Sequence, residues 1–442
     1  MDTDQVDLVT RALGRLSARS AQGRIVQAGD AALLVSGLIG RVRLGSRVEV
    51  VRADGTRLAA EVVHLGETLA RLLPESGAEG VAVGDPVRVR PDPVFAPHEG
   101  WIGRVIDPDG RPLDGRPLLP GPVPRARRAA PPPPQARRGF GLRLDTGLAV
   151  FNTLLPLVRG QRLGLFAGSG VGKSTLLADL ARGVEADIIV IGLVGERGRE
   201  LRHFVTEVLG EGMARAVLVA ATSDRAASMR RRCAEAATAV AEHFRDAGRQ
   251  VLLLIDSVTR HAEAHREIAA AAGEPASLRG FPASTPAAIA QLCERAGPGA
   301  GGQGDITAVY TVLVAGSDME EPVADWLRGV LDGHVVLDRG IAERGRFPAV
   351  DLLASVSRAL PASASGPENA VLAEARRLLG AYARAEPMIQ AGLYQAGSDP
   401  AVDRALACHA ELDAFLTRRD AGCAASHAAL RRILSPLPKS QP

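Results

Sequence analysis

The spacing of apolar residues changes character along this chain, and each change predicts a different kind of element. Residues 4–19 put Val6, Val9, Leu13 and Leu16 on one helical face and Arg11, Arg15 and Arg19 on another, a short basic amphipathic helix. From Gly23 to Arg90 the pattern turns to short alternating runs. Ala32–Ser36, Val48–Arg52 and Leu58–Leu65 read as strands, with a hairpin turn at Ala53-Asp54-Gly55. Regular short strands over such a stretch predict a small β-barrel. Beyond a passage rich in Pro and Arg, Gly121 to Arg138, the runs become continuously apolar and β-branched. Arg162–Phe166, Asp187–Val194, Ala216–Ala221, Val251–Asp256 and Ile306–Val314 are strands of the kind buried in parallel sheets. Helical stretches such as Lys173–Arg182 and Arg225–Ala247 separate them, which is the alternation of an α/β nucleotide-binding domain. After Pro361 strand patterns vanish and the chain reads as helices broken at Gly366-Pro367 and Gly397-Ser398-Asp399-Pro400.

Composition narrows the function classes. A length of 442 residues predicts about two to four domains. A net charge of +3 gives no electrostatic footprint for nucleic acid, and 3% aromatic residues leave little for base stacking. Cys233, Cys293, Cys408 and Cys423 lie far apart without C-x-x-C spacing, which predicts reduced thiols in a cytoplasmic protein. The acidic start Met1-Asp2-Thr3-Asp4 lacks the basic region of a signal peptide, and no apolar run reaches ~18 residues, the length of a membrane span. The five arginines of Gly121–Arg138 could bind an acidic partner, but the Pro-rich passage is expected to be a stiff, solvated connector.

Charge chemistry then points to one place. Of 53 Lys and Arg residues, only Lys173 and Lys439 are lysines. Lys173 belongs to Ala167-Gly168-Ser169-Gly170-Val171-Gly172-Lys173-Ser174-Thr175, which fits a phosphate-binding loop with a strand before it and a helix after it. Its glycines let backbone N–H groups turn toward a polyphosphate, and a compact ammonium reaches the terminal phosphates where a planar guanidinium fits poorly. Ser174 is placed to offer its hydroxyl to Mg²⁺. Val251–Asp256 is an apolar strand ending in the carboxylate expected to hold that ion through water; alone, Asp256 would read as a helix cap. Glu196, at the end of a neighbouring strand, can polarise an attacking water, although by itself it would read as a solvated loop acid. His261 and His265 form an H-x₃-H pair without a further ligand, so a metal site there is not expected.

Several stretches carry a family resemblance. Gly195-Glu196-Arg197-Gly198-Arg199-Glu200, Asp256-Ser257-Val258-Thr259-Arg260, Arg346-Phe347-Pro348-Ala349-Val350-Asp351 and Ser355-Val356-Ser357-Arg358 are similar to segments of the rotary-ATPase catalytic subunits. Gly103-Arg104-Val105-Ile106-Asp107, Arg266-Glu267-Ile268, Gly273-Glu274-Pro275, Ser317-Asp318-Met319 and Gly333-His334-Val335-Val336-Leu337 resemble the flagellum-specific, type III protein-export branch. The resemblance implies a RecA-like P-loop ATPase core, with a small β-barrel before it and a helical domain after it. The expected divisions are 1–22 for the amphipathic helix, 23–95 for the barrel, 96–360 for the ATPase and 361–442 for the helical domain. ATP and Mg²⁺ are the implied cofactors, held by Gly168 to Thr175, with Ser174 and Asp256 on the metal. Lys173, Glu196 and Arg197 are the implied catalytic group, Phe347 the aromatic against adenine, and Arg358 an arginine finger acting on a neighbouring subunit.

Such a finger implies a ring, most simply a homohexamer. The family further implies a stator-like regulator at the N-terminal helix, a central stalk facing Gly273–Pro282, and an export gate, chaperones and substrates as partners. It implies a cytoplasmic protein at the periphery of the inner membrane. An injectisome ATPase, an ATP synthase catalytic subunit, an RNA motor and a non-catalytic ring subunit are the alternatives. Ser174, where the synthase usually has Thr, the small charge and the presence of Glu196 weigh against the last three. Thr146-Gly147-Leu148-Ala149-Val150-Phe151-Asn152 departs from the family's usual Thr-Gly-Val-Arg-Ala-Ile-Asp, losing its charged side chains, which predicts altered packing ahead of the phosphate loop.

Overall fold

Strand alternation places the first core. The computed structural model describes residues 22–29, 31–314, 319–419 and 422–435, so the amphipathic helix expected over 4–19 lies outside the described residues. The chain divides into two compact units, Met1–Pro93 with Arg225–Met229 and Ala264–Ala283, and the remainder. In the first unit, β1 (Gln22–Ala28), β2 (Leu33–Ser36), β3 (Arg47–Val51), β4 (Arg57–Leu65), β5 (Leu69–Pro74) and β6 (Pro86–Val89) close in the order β1-β2-β5-β4-β3-β6. Ile25, Leu33, Val35, Val48, Val50, Leu58, Val62, Leu72 and Val87 point inward as period-two positions should. Bulges in β1 after Ile25 and in β4 after Val62 bend the strands around the small barrel. Ala264 and Ile268 pack with Val63 and Leu73, and the Arg71 guanidinium donates to the Ala271 carbonyl at 3.2 Å.

The second unit is built on an eight-stranded sheet of order β14-β13-β8-β12-β11-β9-β10-β7. Its strands are β7 (Arg104–Ile106), β8 (Arg162–Ala167), β9 (Ile188–Glu196), β10 (Ala216–Thr222), β11 (Val251–Asp256), β12 (Ile306–Leu313), β13 (Gly333–Leu337) and β14 (Val350–Ser357). All neighbours are parallel except β13 and β14. Every residue of β11 is buried, as a central strand covered on both faces requires. The edge strand β7 has three residues, too few to display a period.

Helices α1 (Lys173–Gly183), α2 (Ala227–Asp246) and α3 (Val258–Ala272) leave the phosphate-loop, β10 and β11 ends, while α4 (Gly366–Gln390), α5 (Pro400–Thr417) and α6 (Cys423–Leu434) form the C-terminal helical bundle. Helix α4 starts with a capping box between Ser365 and Glu368. No helix among the described residues is long and apolar enough to cross a membrane.

Residues 121–138 are exposed or half-buried throughout, as a solvated connector should be, but they are also tied to the body beneath them. Their arginines meet acids of the same unit: Arg125 pairs with Asp246, Arg128 with Glu235 at 2.8 Å, Arg137 with Glu294 at 3.4 Å and Arg138 with Asp305 at 2.7 Å. The Arg127 guanidinium lies 5.7 Å from the centroid of the Phe95 ring. A stretch without backbone hydrogen-bond periodicity is thus strapped down by side chains, and its acidic partners come from distant positions that composition does not connect. The altered segment 146–152 is likewise tied inward without charge. Buried Asn152 accepts from the Thr146 N–H and hydroxyl, both at 2.9 Å, and donates to the Ser426 hydroxyl at 3.1 Å.

Candidate functional site

The carboxyl ends of parallel strands gather the site, as open α/β sheets do. Strand β8 ends at Ala167 and the chain turns through Gly168–Gly172 into α1, with φ of 79° at Gly170 and 85° at Gly172. These left-handed conformations suit glycine and let the backbone N–H groups face one point at the α1 N-terminus. The loop lines a cavity of about 820 Å³ together with Lys173, Ser174, Glu196, Arg197, Arg260 and Glu263. Along the loop and into α1, Ser169, Gly170, Ser174 and Thr175 are exposed, while Val171 is buried beneath the turn.

Lys173 turns inward, its Nζ ion-paired with Asp256 Oδ1 and 3.8 Å from Glu196 Oε1. Asp256 sits at the end of β11, its side chain 5% exposed, and accepts a second bond from the Thr311 hydroxyl of β12 at 2.6 Å. Glu196 closes β9, and its carbonyl accepts from the Ser223 N–H at 3.0 Å. Burial pushes the Glu196 carboxyl up to about 7. A hydrogen bond with Glu200 and the nearby Asp256 charge push the same way, against the Lys173 ammonium. A carboxyl poised there switches between proton acceptor and neutral acid near neutral pH.

The other expected residues distribute unevenly. The Phe347 side chain is half exposed, and its ring edge packs on Gly172: a Cβ built there would lie 3.1 Å from Phe347 Cδ1. Its open face beside a phosphate loop suits a flat heterocycle. Arg197 is in the cavity wall but points outward, its side chain 78% exposed and 3.9 Å from Glu200. Arg358 is not at this cavity. It follows β14, where Ser357 is level with Gly333, and its N–H donates to the Asp332 carbonyl at 3.0 Å. Asp332 in turn donates to the Arg162 carbonyl at the start of β8. The five strand steps to Ala167 span roughly 17 Å, beyond the reach of one guanidinium. Arg358 is exposed, with Nη2 3.2 Å from the Arg328 carbonyl, so it faces away from its own phosphate loop.

Thr311, Arg260, Glu200 and Glu263 are site residues that sequence reasoning did not single out. Arg260 Nη1 donates to Glu263 Oε2 at 2.9 Å, and the Glu196 and Asp256 charges favour its cation. Thr311 is one of three hydroxyl-bearing residues of its strand, with Thr307 and Tyr310, and only a partner on the adjacent strand gives it meaning. His261 is buried, with Nδ1 3.2 Å from the Arg231 carbonyl.

The donor set fits a hard divalent cation. The Ser174 hydroxyl at the start of α1 and the Asp256 carboxylate are the oxygen ligands that Mg²⁺ takes while keeping several waters.

Comparison with known proteins agrees with this geometry. Residues 147–357 match the nucleotide-binding domain of the ATP synthase alpha/beta family. Residues 366–434 match the C-terminal domain of the type III secretion ATPase EscN. The chain is 45% identical to the flagellum-specific ATP synthase of Caulobacter vibrioides, over 92% of this chain and 94% of that one. It is 43% identical to the type 3 secretion system ATPase of Pseudomonas syringae pv. syringae, over 87% of each. Among solved structures, the assembled ATPase EscN of the enteropathogenic E. coli type III secretion system aligns with a TM-score of 0.86 at 36% identity, covering 93% of this chain and all of that one. EscN in complex with its central stalk EscO aligns with a TM-score of 0.82 at 36% identity, with the same coverage.

Proposed function

The chain belongs to the family of flagellum-specific ATP synthases and type 3 secretion system ATPases, and from that premise we propose that it is the Mg-ATP-hydrolysing ring ATPase of a flagellar protein-export apparatus. It would use hydrolysis to release export substrates from their chaperones and deliver them to a membrane-embedded gate, working in the cytoplasm at the periphery of the inner membrane. The observation that carries the hydrolytic part is Glu196 beside Lys173 at the mouth of the phosphate loop: binding alone needs no such carboxylate.

The roles follow from position. The Gly168–Thr175 loop and Lys173 hold the phosphates, and Phe347 takes the base on its open face. Ser174 and Asp256 would hold Mg²⁺, which neutralises charge on the β- and γ-oxygens when bound. Lys173 is released from Asp256 toward the γ-phosphate as the nucleotide enters. Glu196 orients the water and accepts its proton, with Arg197 and Arg260 at the rim. Arg358 completes the site of an adjacent subunit, which makes the working form a ring. Residues Gly273–Pro282, where Arg279 has a φ of 48° and the Phe281 ring centroid lies 4.9 Å from the Arg266 guanidinium, suit the contact with a central stalk.

Two measurements test this reading. Specific ATPase activity should rise steeply with protein concentration as rings assemble; activity per subunit that is flat down to monomer concentrations removes the ring. In addition, kcat/KM, which reports the free enzyme, should climb as pH rises through about 7 and level off above it, because Glu196 acts in its deprotonated form. An ordinary carboxylate would give a flat profile from about pH 5.5 upward. The injectisome is the second reading, favoured by identity to the Pseudomonas syringae pv. syringae relative almost as high as to the flagellar one. Deletion of the gene decides between them: lost swimming supports the flagellar role, retained swimming with lost effector secretion the other.

A further inference from the structure

The loop that presents Phe347 to the phosphate loop is gripped from behind by the C-terminal helices. Between the strands β13 and β14, Arg346 is largely buried, its side chain 13% exposed, and its guanidinium is split between two acceptors. Nη1 donates to Asp413 Oδ1 on α5 at 2.9 Å, and Nη2 donates to the Val350 carbonyl at 2.7 Å. Arg344 approaches Glu386 of α4 at 3.9 Å. One turn before Asp413 on α5, His409 stacks on Tyr382 of α4, with ring centroids 3.4 Å apart and planes 6° from parallel. Asp413 therefore projects from a helix pair fixed by packing, and Arg346 fastens the base-side wall of the pocket to it. Phe347 itself is half exposed, with its ring edge against Gly172.

We propose that Arg346, held by Asp413, is a positioning residue for the nucleotide base: it sets the Phe347 ring and so makes affinity for ATP depend on the placement of helix α5. This rests on the nucleotide-binding reading above. Phe347 contacts the ligand directly, whereas Arg346 acts through the main chain it anchors. The consequence is directional: a ligand that shifts α5 changes how tightly nucleotide binds, and bound nucleotide biases α5 by the same factor.

The test uses full-length protein and a fluorescent ATP analogue, with steady-state kinetics in parallel. Arg346→Ala and Asp413→Ala should each weaken analogue binding and raise KM for ATP about three- to fivefold, a magnitude expected for a charged pair with one half-exposed member, with kcat nearly unchanged. The double variant should be no worse than Arg346→Ala alone, since both substitutions cut the same link. Charge exchange, Arg346→Asp with Asp413→Arg, should recover part of the loss. As a control for general loosening of the bundle, Arg404→Ala removes the 2.8 Å pair between α5 and Glu374 of α4 and should leave KM unchanged. Additive losses, an equal change in Arg404→Ala, or unchanged KM in both single variants overturns the proposal. Lys173→Ala separates the two failures: if analogue binding survives that substitution, the pocket assignment itself is wrong.

Discussion

Glu196→Gln protein retains ATP binding and turns it over roughly 10²–10⁴ times more slowly than the unaltered chain, the range by which a positioned general base accelerates proton transfer. The amide keeps the size and one acceptor oxygen of the carboxylate, so the phosphate loop and the Lys173 contact are little disturbed. What it loses is the ability to take a proton. The distinction is measurable because Lys173 and Asp256 form the binding side of the cavity, while Glu196 approaches Lys173 only at 3.8 Å. Single-turnover hydrolysis with excess enzyme, alongside equilibrium nucleotide binding, separates the two effects. Near-normal turnover in this variant would remove Glu196 from the role of water activator.

Arg358→Ala is expected to abolish measurable hydrolysis, by roughly 10³–10⁵-fold, while its own phosphate loop still binds nucleotide. The sheet register is the reason to expect this separation. The residue lies at the opposite end of the parallel strands from Ala167, and its visible contact is a 3.2 Å bond to the Arg328 carbonyl. A contact of that kind on an exposed side chain is worth little to stability, so a folded, nucleotide-binding and inactive variant is the expected product. Mixing Arg358→Ala with Lys173→Ala protein should restore activity, because some interfaces then join an intact phosphate loop to an intact finger. Absence of recovery at every mixing ratio would falsify the interfacial arrangement.

The chemistry at the strand ends was more legible than the architecture around it. The phosphate loop announces itself because phosphate binding demands glycines, a lysine and a hydroxyl in consecutive places. Val251–Asp256 was legible to the residue because a strand buried on both faces is apolar throughout until its functional end. Strand β9 runs two residues further than its apolar pattern, to Glu196, since pairing with β10 continues after hydrophobicity stops. Partnerships between distant positions were hidden. The hydroxyl of Thr311 on Asp256, Arg346 on Asp413 and the strapped arginines of 121–138 each depend on two segments whose proximity only the fold creates. Strands β7 and β13 are too short to display a period, although their sequences carried the family resemblance.

The inward turn of Lys173 has a consequence for how this protein responds to reagents. Its side chain is 12% exposed and its ammonium ion-paired, and Lys439 is the other lysine of the chain. Acylating reagents need a free, deprotonated amine. They therefore find almost nothing to modify on the folded body, and a ring of these subunits would pass through lysine-directed crosslinking nearly unmarked. Its neighbours in such a ring become visible instead to chemistry aimed at carboxylates or guanidinium groups, which cover its surface.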